Sequence, residues 1–320
     1  MKTSFRRAGT SAIVAACLAL GVGAAQASDL TNFKTVFDTD FAAAGFGGMR
    51  GIGTGSITLA SGVGAGTVTE AYLFWHGPSN ATSSLDTANA TVNFAGTNVT
   101  GSFLGASSDN CWGFQNSLAY RANVTSLVTG DGVYSLADFV KPGGIDINGV
   151  SLVVFYNDGD STNNRDIVMF NGNDSNITNA YDADGWNITL AGINYTAGSA
   201  SAQFHVSDGQ TFPDDAIIAN GTPIAATGGI FQGDSVPNGP GVANGGLWDI
   251  KDFSVTSLLN PGLNNLNITT GVNSDCLSCV MIAIDLPAGA APPNGVSAPG
   301  SLALSGLALI GLAAVRRRRS

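Results

Sequence analysis

Glutamate is almost absent from this 320-residue chain: Glu70 stands alone, and the other acidic residues, out of twenty-three, are aspartates. Lysine and arginine together number thirteen, histidine two and cysteine four, against 43 glycines. Glu, Lys and Arg furnish the surfaces of helices, whereas Asp, Asn and Gly favour turns and left-handed backbone. A helical body is therefore excluded, and a nearly all-β one is expected.

The basic residues are not only few but displaced to the ends. Lys2, Arg6, Arg7 and Arg316 to Arg319 leave six for the stretch between (Lys34, Arg50, Arg121, Lys141, Arg165, Lys251). Those six face all twenty-three acids, a net charge of −17. No basic patch remains to neutralise phosphates, so nucleic acid is excluded as a partner. Such a surface favours solubility outside the cell.

Long apolar runs are also missing from the middle and occur at the two ends. After Lys2, Arg6 and Arg7 an apolar stretch runs from Ala12 to Ala24. Ala25-Gln26-Ala27 then has the A-x-A form of a signal-peptide cleavage site, with Ala25 and Ala27 flanking the glutamine. The pair Arg6-Arg7 is not followed by bulky apolar residues, and too little apolar sequence precedes Cys17 for a lipoprotein site. Residues 1–27 read as a plain export signal and 28–295 as the exported body.

Residues 296–320 form a third segment. Leu302 to Val315 is apolar or small throughout, and Arg316, Arg317, Arg318 and Arg319 follow at once. In lipid such a run is expected to be a short C-terminal hydrophobic helix, because backbone groups there must be satisfied internally. Fourteen residues fall short of the roughly 20 that a full span needs. The arginines set its orientation, facing the cytoplasm. The order Ser297-Ala298-Pro299-Gly300, apolar run, arginine cluster closely resembles a PEP-CTERM sorting tail. That resemblance implies a signal peptide, an exported domain and recognition by an exosortase-type membrane processing enzyme. The family's Pro-Glu-Pro is here Ser297-Ala298-Pro299, so only the last proline matches.

The body has room for one large antiparallel β-sandwich, jelly-roll or immunoglobulin-like, or for two packed ones. Gly, Asn, Asp and Ser clusters bound its strands. Val150 to Tyr156 reads as the most buried. Thr91–Phe94 and Thr97–Phe103 read as a hairpin across Ala95-Gly96, and Ala122–Val128 with Gly132–Phe139 as a second pair. Phe94 to Thr100 echoes Leu190 to Thr196, which marks either two related sandwich halves or, the favoured reading, the same hairpin chemistry used twice. Gly228 to Gly246 reads as surface loop. The ordered runs Ala71–Gly77, Tyr120–Thr125, Gly149–Tyr156 and Ile167–Gly172 are similar to the β-rich ectodomains of bacterial surface and adhesin-like proteins. That similarity implies a display or matrix module.

No catalytic constellation stands out. Neither His76 nor His205 lies in a nucleophile motif, and each reads as a hydrogen-bonded histidine in a strand. Signal removal leaves three cysteines, too few for a closed zinc site. Cys111, Cys276 and Cys279 are disulfide candidates, with one left over and the pairing open. Calcium is the candidate ligand, at Asp158, Asp160, Asn163 and Asp166, with Asp182 and Asp184 as a second pair; neither loop matches an EF-hand. Sequons at Asn80, Asn123, Asn187 and Asn267 read as turn and strand composition. The expected function is a non-catalytic, exported cell-surface or extracellular-matrix protein, working in adhesion or with exopolysaccharide. The alternative is a secreted carbohydrate-active hydrolase or carbohydrate-binding protein with the same tail. A cleft of paired aspartates near His76 or Trp75 would mark the hydrolase; an exposed Trp75, Trp112 or Trp186 would mark carbohydrate binding.

Overall fold

The computed structural model describes residues 29–60, 62–64, 66–241 and 244–291. The export signal, with Ala25 and Ala27, and the tail, with its hydrophobic helix, Ser297 to Gly300 and Arg316 to Arg319, lie outside the described residues. Within them the protein is nearly all β, and every pairing between its strands is antiparallel.

The first half comprises β1 (Thr31–Phe46), β2 (Gly55–Leu59), β3 (Thr67–Ser79), β4 (Thr91–Phe94) and β5 (Thr97–Thr100), followed by β6 (Ser102–Ser107), β7 (Asn116–Asn123), β8 (Gly132–Ala137) and β9 (Gly149–Asn157). The second comprises β10 (Arg165–Ser175), β11 (Asn187–Tyr195), β12 (Ser201–Ser207), β13 (Ile217–Ala219), β14 (Thr222–Ala225), β15 (Trp248–Ser254), β16 (Gly262–Thr269) and β17 (Ser278–Pro287). Sheet order in the first half is β1-β9-β3-β7-β6 facing β2-β8-β4-β5. In the second it is β10-β17-β12-β15 facing β11-β16-β13-β14. Strand for strand the two orders correspond, with β6 the exception. The fold is a duplicated antiparallel sandwich.

Strand β1 joins the halves. Thr31 to Thr39 pair with β10; Asp40 to Phe46 pair with β9. Asp38 sits in the register break with φ 51° and turns the strand from one sheet to the other. The two central sheets consequently pack face to face, giving four layers. Alternation along the strands records this. In β9, Val150, Leu152 and Val154 fill the first sandwich, while Val153 and Phe155 enter the seam between the halves. In β17, Ile282, Ile284 and Leu286 fill the second sandwich, while Met281 and Ala283 enter the seam. Both faces of these strands are covered, which is why they read as continuous apolar runs. At the seam the halves come close: a Cβ on Gly149 would stand 2.6 Å from the Trp248 Cβ.

The duplication has a sequence trace that the Phe94/Leu190 echo does not mark. Leu190 to Tyr195 belongs to one strand, β11, with a register break at Gly192, and forms no hairpin. The counterpart of the Ala95-Gly96 turn (φ 50° and 77°) is Asn220-Gly221 (φ 48° and 77°). Val124-Thr125-Ser126-Leu127 and Val255-Thr256-Ser257-Leu258 are identical, and both form a single 3-10 turn. Thr125 Oγ1 accepts from the Ala71 amide at 2.9 Å, and Thr256 Oγ1 from the Ala200 amide at 2.7 Å.

That turn also overrules the expected pairing of Ala122–Val128 with Gly132–Phe139. At Val124 the chain leaves one sheet for the facing one, so β8 pairs with β2 and β4 instead of β7. Nor is Gly228 to Gly246 wholly surface. Phe231 is fully buried in the second core, against Trp186 and Phe253.

Candidate functional site

Two histidines, one from each half, occupy corresponding strands, β3 and β12, and both are fully buried at the seam. His76 Nδ1 is 2.7 Å from Ser207 Oγ, and that hydroxyl accepts from Asn148 Nδ2 at 2.9 Å. His205 Nδ1 is 2.7 Å from Ser151 Oγ, which accepts from Trp248 Nε1 at 2.8 Å. The Gln203 oxygen beside His205 Nε2 puts that ring's proton on Nε2, so Ser151 donates to Nδ1 there. His205 Nε2 donates to Gln203 Oε1 at 3.1 Å. His76 Nε2 faces Asn173 without closing a bond of normal geometry. Burial pushes both rings down to about 3, so they are neutral at ordinary pH. A serine–histidine pair that occurs twice, sealed between packed sheets, is a latch between the halves.

From His76 the polar network runs outward along the seam. Asn148 Nδ2 also donates to Asp208 Oδ1 at 3.1 Å, and Arg50 holds Asn148 Oδ1 through Nε at 3.1 Å. Arg50 Nη2 lies 3.4 Å from Asp208 Oδ1. The Trp112 indole donates Nε1 to both Asp208 oxygens at 2.8 Å, and the Arg50 guanidinium covers its ring at 4.0 Å. Burial pushes Asp208 well above the usual carboxylate range; the Arg50 charge and the indole N–H oppose it.

The Trp112 loop is built to project. Asp109 accepts from the Cys111 and Phe114 amides, at 3.3 and 2.8 Å, and Asn110 and Cys111 take positive φ (54° and 68°). Cys111 is bonded to Cys276, 165 residues away, which staples this loop to the second half; Cys279 stays free and buried. Beside the staple lies a depression of about 280 Å³, lined by Trp112, Gln210, Phe212, Asn244 and Asp275. Trp75, Trp186 and Trp248 are at most 1% exposed, whereas Trp112 is partly exposed and Phe212 is 40% exposed. Asp275 is the one titratable side chain among those lining residues. Burial, then the charge of Asp214, raises it to about 7; its oxygens accept from the Gln210 and Cys276 amides. Aromatic faces flanked by amide and carboxylate groups form a surface that accepts an amphipathic ring.

The loop expected to take calcium is closed by its own hydrogen bonds. Asp158 accepts from Asn163 Nδ2 at 2.9 Å and from the Asp160 amide at 2.7 Å, so Asn163 offers a donor inward. Asp160 accepts from Thr162. These contacts lower both carboxyls, Asp158 chiefly through Asn163 and Asp160 chiefly through Thr162. Asp166 is buried on the other side, fastening the Asp38 and Ala291 amides at 2.9 Å each. The loop is a run of Asx turns. Among the described residues no group of three or more His, Cys, Asp or Glu is arranged to hold a metal. The expectation of paired aspartates in a cleft at His76 or Trp75 also meets a closed core there. Sequence reading named Trp112 as one of three tryptophans and missed Arg50, Asn148 and Asp208, whose sole local signal is Asp208 opening the break after β12.

Taken together, the described residues define an all-β protein of two antiparallel sandwiches joined back to back, with a stapled aromatic depression at their seam. No family model and no curated protein matches the chain. Solved structures offer a peptide-N(4)-(N-acetyl-β-D-glucosaminyl) asparagine amidase at 12% identity, covering 81% of this chain and 95% of that one with a TM-score of 0.28. A recombinant peptide:N-glycanase F has the same identity and coverage and a TM-score of 0.27. Likeness of that degree says nothing of what this chain does.

Proposed function

We propose that the chain is an exported, non-catalytic protein of the cell surface or extracellular matrix, delivered by its tail and binding an extracellular saccharide at the Trp112 depression. The observation that carries the reading is the selective projection of Trp112. Three tryptophans are interior, and the fourth is held at the surface by a disulfide, a cation–π contact and a buried carboxylate. The net charge of the body suits an extracellular protein that stays dispersed, and exopolysaccharide is the partner class. The PEP-CTERM-like tail supplies the route, through an exosortase-type enzyme and the membrane.

Two measurements test this. In affinity electrophoresis through purified exopolysaccharide, the protein is expected to be retarded, and Trp112→Ala or Phe212→Ala to lose at least about tenfold in affinity. Phe212 is partly exposed, so its variant leaves the fold intact, and undiminished retardation of both variants sinks the saccharide reading. Intact mass of the mature protein tests the tail: a chain ending near Pro299 supports processing, and one that retains Arg316 to Arg319 in the membrane fraction defeats it.

Asp275 favours a second reading. A carboxyl near 7 beside an aromatic depression suits acid–base chemistry on a glycosidic bond. Polysaccharide turnover that Asp275→Asn abolishes would establish a hydrolase in place of a binding protein.

A further inference from the structure

At the end of β10 two carboxyl groups are buried against each other. Asp174 is 1% exposed and Asp182 7%. Neither Asp174 oxygen accepts a hydrogen bond, nor does Asp182 Oδ2. The Asp174 and Asp182 carboxyl groups are in direct contact. Unpaired buried carboxylates are costly, and native proteins satisfy such groups.

The surroundings look arranged rather than accidental. Asp182 lies in the Asn176–Gly185 loop, which is short of apolar residues and crosses the seam. The Asn176 backbone amide donates to the Leu277 carbonyl, its side-chain Oδ1 accepts from the Leu277 amide, and its Nδ2 donates to the Gly271 and Asp275 carbonyls. Asn179 reaches Ser107 Oγ at 3.3 Å, and Asn116 donates to the Tyr181 hydroxyl at 3.3 Å. Asn179 Oδ1 accepts from the Tyr181 and Asp182 amides, and the Asp184 amide donates to Asp182 Oδ1. These bonds hold the loop, and they leave Asp182 Oδ2 and both Asp174 oxygens without a donor.

We propose that Asp174 and Asp182 are the anchoring carboxylates of a divalent-cation site of the calcium class, which clamps the Asn176–Gly185 loop to β10. Calcium takes six to eight oxygens, so this pair supplies its charge, with carbonyl and water oxygens to complete the shell. A cation converts the mutual repulsion of the two carboxylates into a bridge between β10 and the loop. The site is separate from the Asp158 loop and independent of the saccharide reading.

The test uses the purified full chain after EDTA treatment. Equilibrium dialysis with calcium chloride is expected to load one ion at this site. Melting should rise by about 5 °C at calcium roughly a hundredfold above the dissociation constant. Asp174→Asn should lose both responses, yet melt in EDTA at or above the wild-type temperature, because the repulsion is gone. Asp158→Asn should bind calcium as the wild type does. If Asp174→Asn does not fold, Asp182→Asn is read in the same way. A wild-type chain that binds no calcium and melts alike with calcium and EDTA overturns the proposal and leaves a shared proton between the pair. Binding lost in Asp158→Asn and kept in Asp174→Asn overturns it as well.

Discussion

The two sandwiches share a strand plan and differ in what they bury. In the first, Trp75 stacks on Tyr120 at 5.6 Å and Asp40 is the buried acid. In the second, from β10 onward, Asp166, Asp174, Asp182, Asp208, Asp214, Asp249 and Asp275 are all buried. For Asp214 and Asp249 the reason lies in the one unmatched strand. Where the first half adds β6 beside β7, the second has an irregular segment ahead of β15, and its buried amides have no ladder to join. Aspartates take the place of that ladder. Asp214 accepts from the Ile230 and Phe231 amides at 2.7 Å each, and Asp249 from Gly233 at 2.7 Å and Ser235. Buried backbone donors require acceptors, and a carboxylate serves two at once. With one buried acid against seven, the first half is less sensitive to pH than the second.

The largest expected effect comes from separating the halves. Cys111–Cys276 spans 165 residues, worth up to about 5 kcal/mol in the chain-entropy model. Replacing both cysteines by serine should lower the calorimetric melting temperature and split the transition, with the second half unfolding first. A single unshifted transition would break the contrast between the halves.

A smaller effect should appear with pH. Burial raises Asp214 to about 6 and Asp275 to about 7, above the roughly 3.9 of an unfolded chain. The folded state thus holds protons that the unfolded state has released. The associated stability is fully present below about pH 4 and is lost as pH rises through 6 to 7, by up to about 1.4 kcal/mol per unit for each group. Urea midpoints should fall between pH 5 and pH 8, and Asp275→Asn should flatten the upper part of that decline. A midpoint that climbs over this range contradicts the sign.

The smallest effect sharpens the equivalence. Thr125→Val and Thr256→Val each strand one amide, that of Ala71 or Ala200, and should cost about 1–2 kcal/mol apiece in chemical denaturation. Unequal losses, beyond about 1 kcal/mol, would show that the two turns do not play the same part.

How much of this was legible varies with the kind of signal. The all-β class followed from the scarcity of Glu, Lys and Arg, and β9 from its unbroken run of Val, Leu and Phe. Strand β1 was missed because Thr31–Phe46 mixes Asp, Thr and Ala; it changes sheets midway, and no single alternation covers its length. The Val-Thr-Ser-Leu repeat was present in the letters, but four residues acquire meaning only when both are seen making the same turn. Trp112 was one of three tryptophans that composition could not rank.

By itself the sequence determined class and charge, because turn-forming composition and a lack of helix-formers act locally wherever the chain goes. Tertiary structure alone decided that the halves lie back to back, that Cys111 takes Cys276, and that Trp112 faces outward. It also decided that Asp166 serves two backbone amides while Asp174 meets Asp182. Each of these joins residues more than a turn or a strand apart, and such contacts exist only once the sheets have packed.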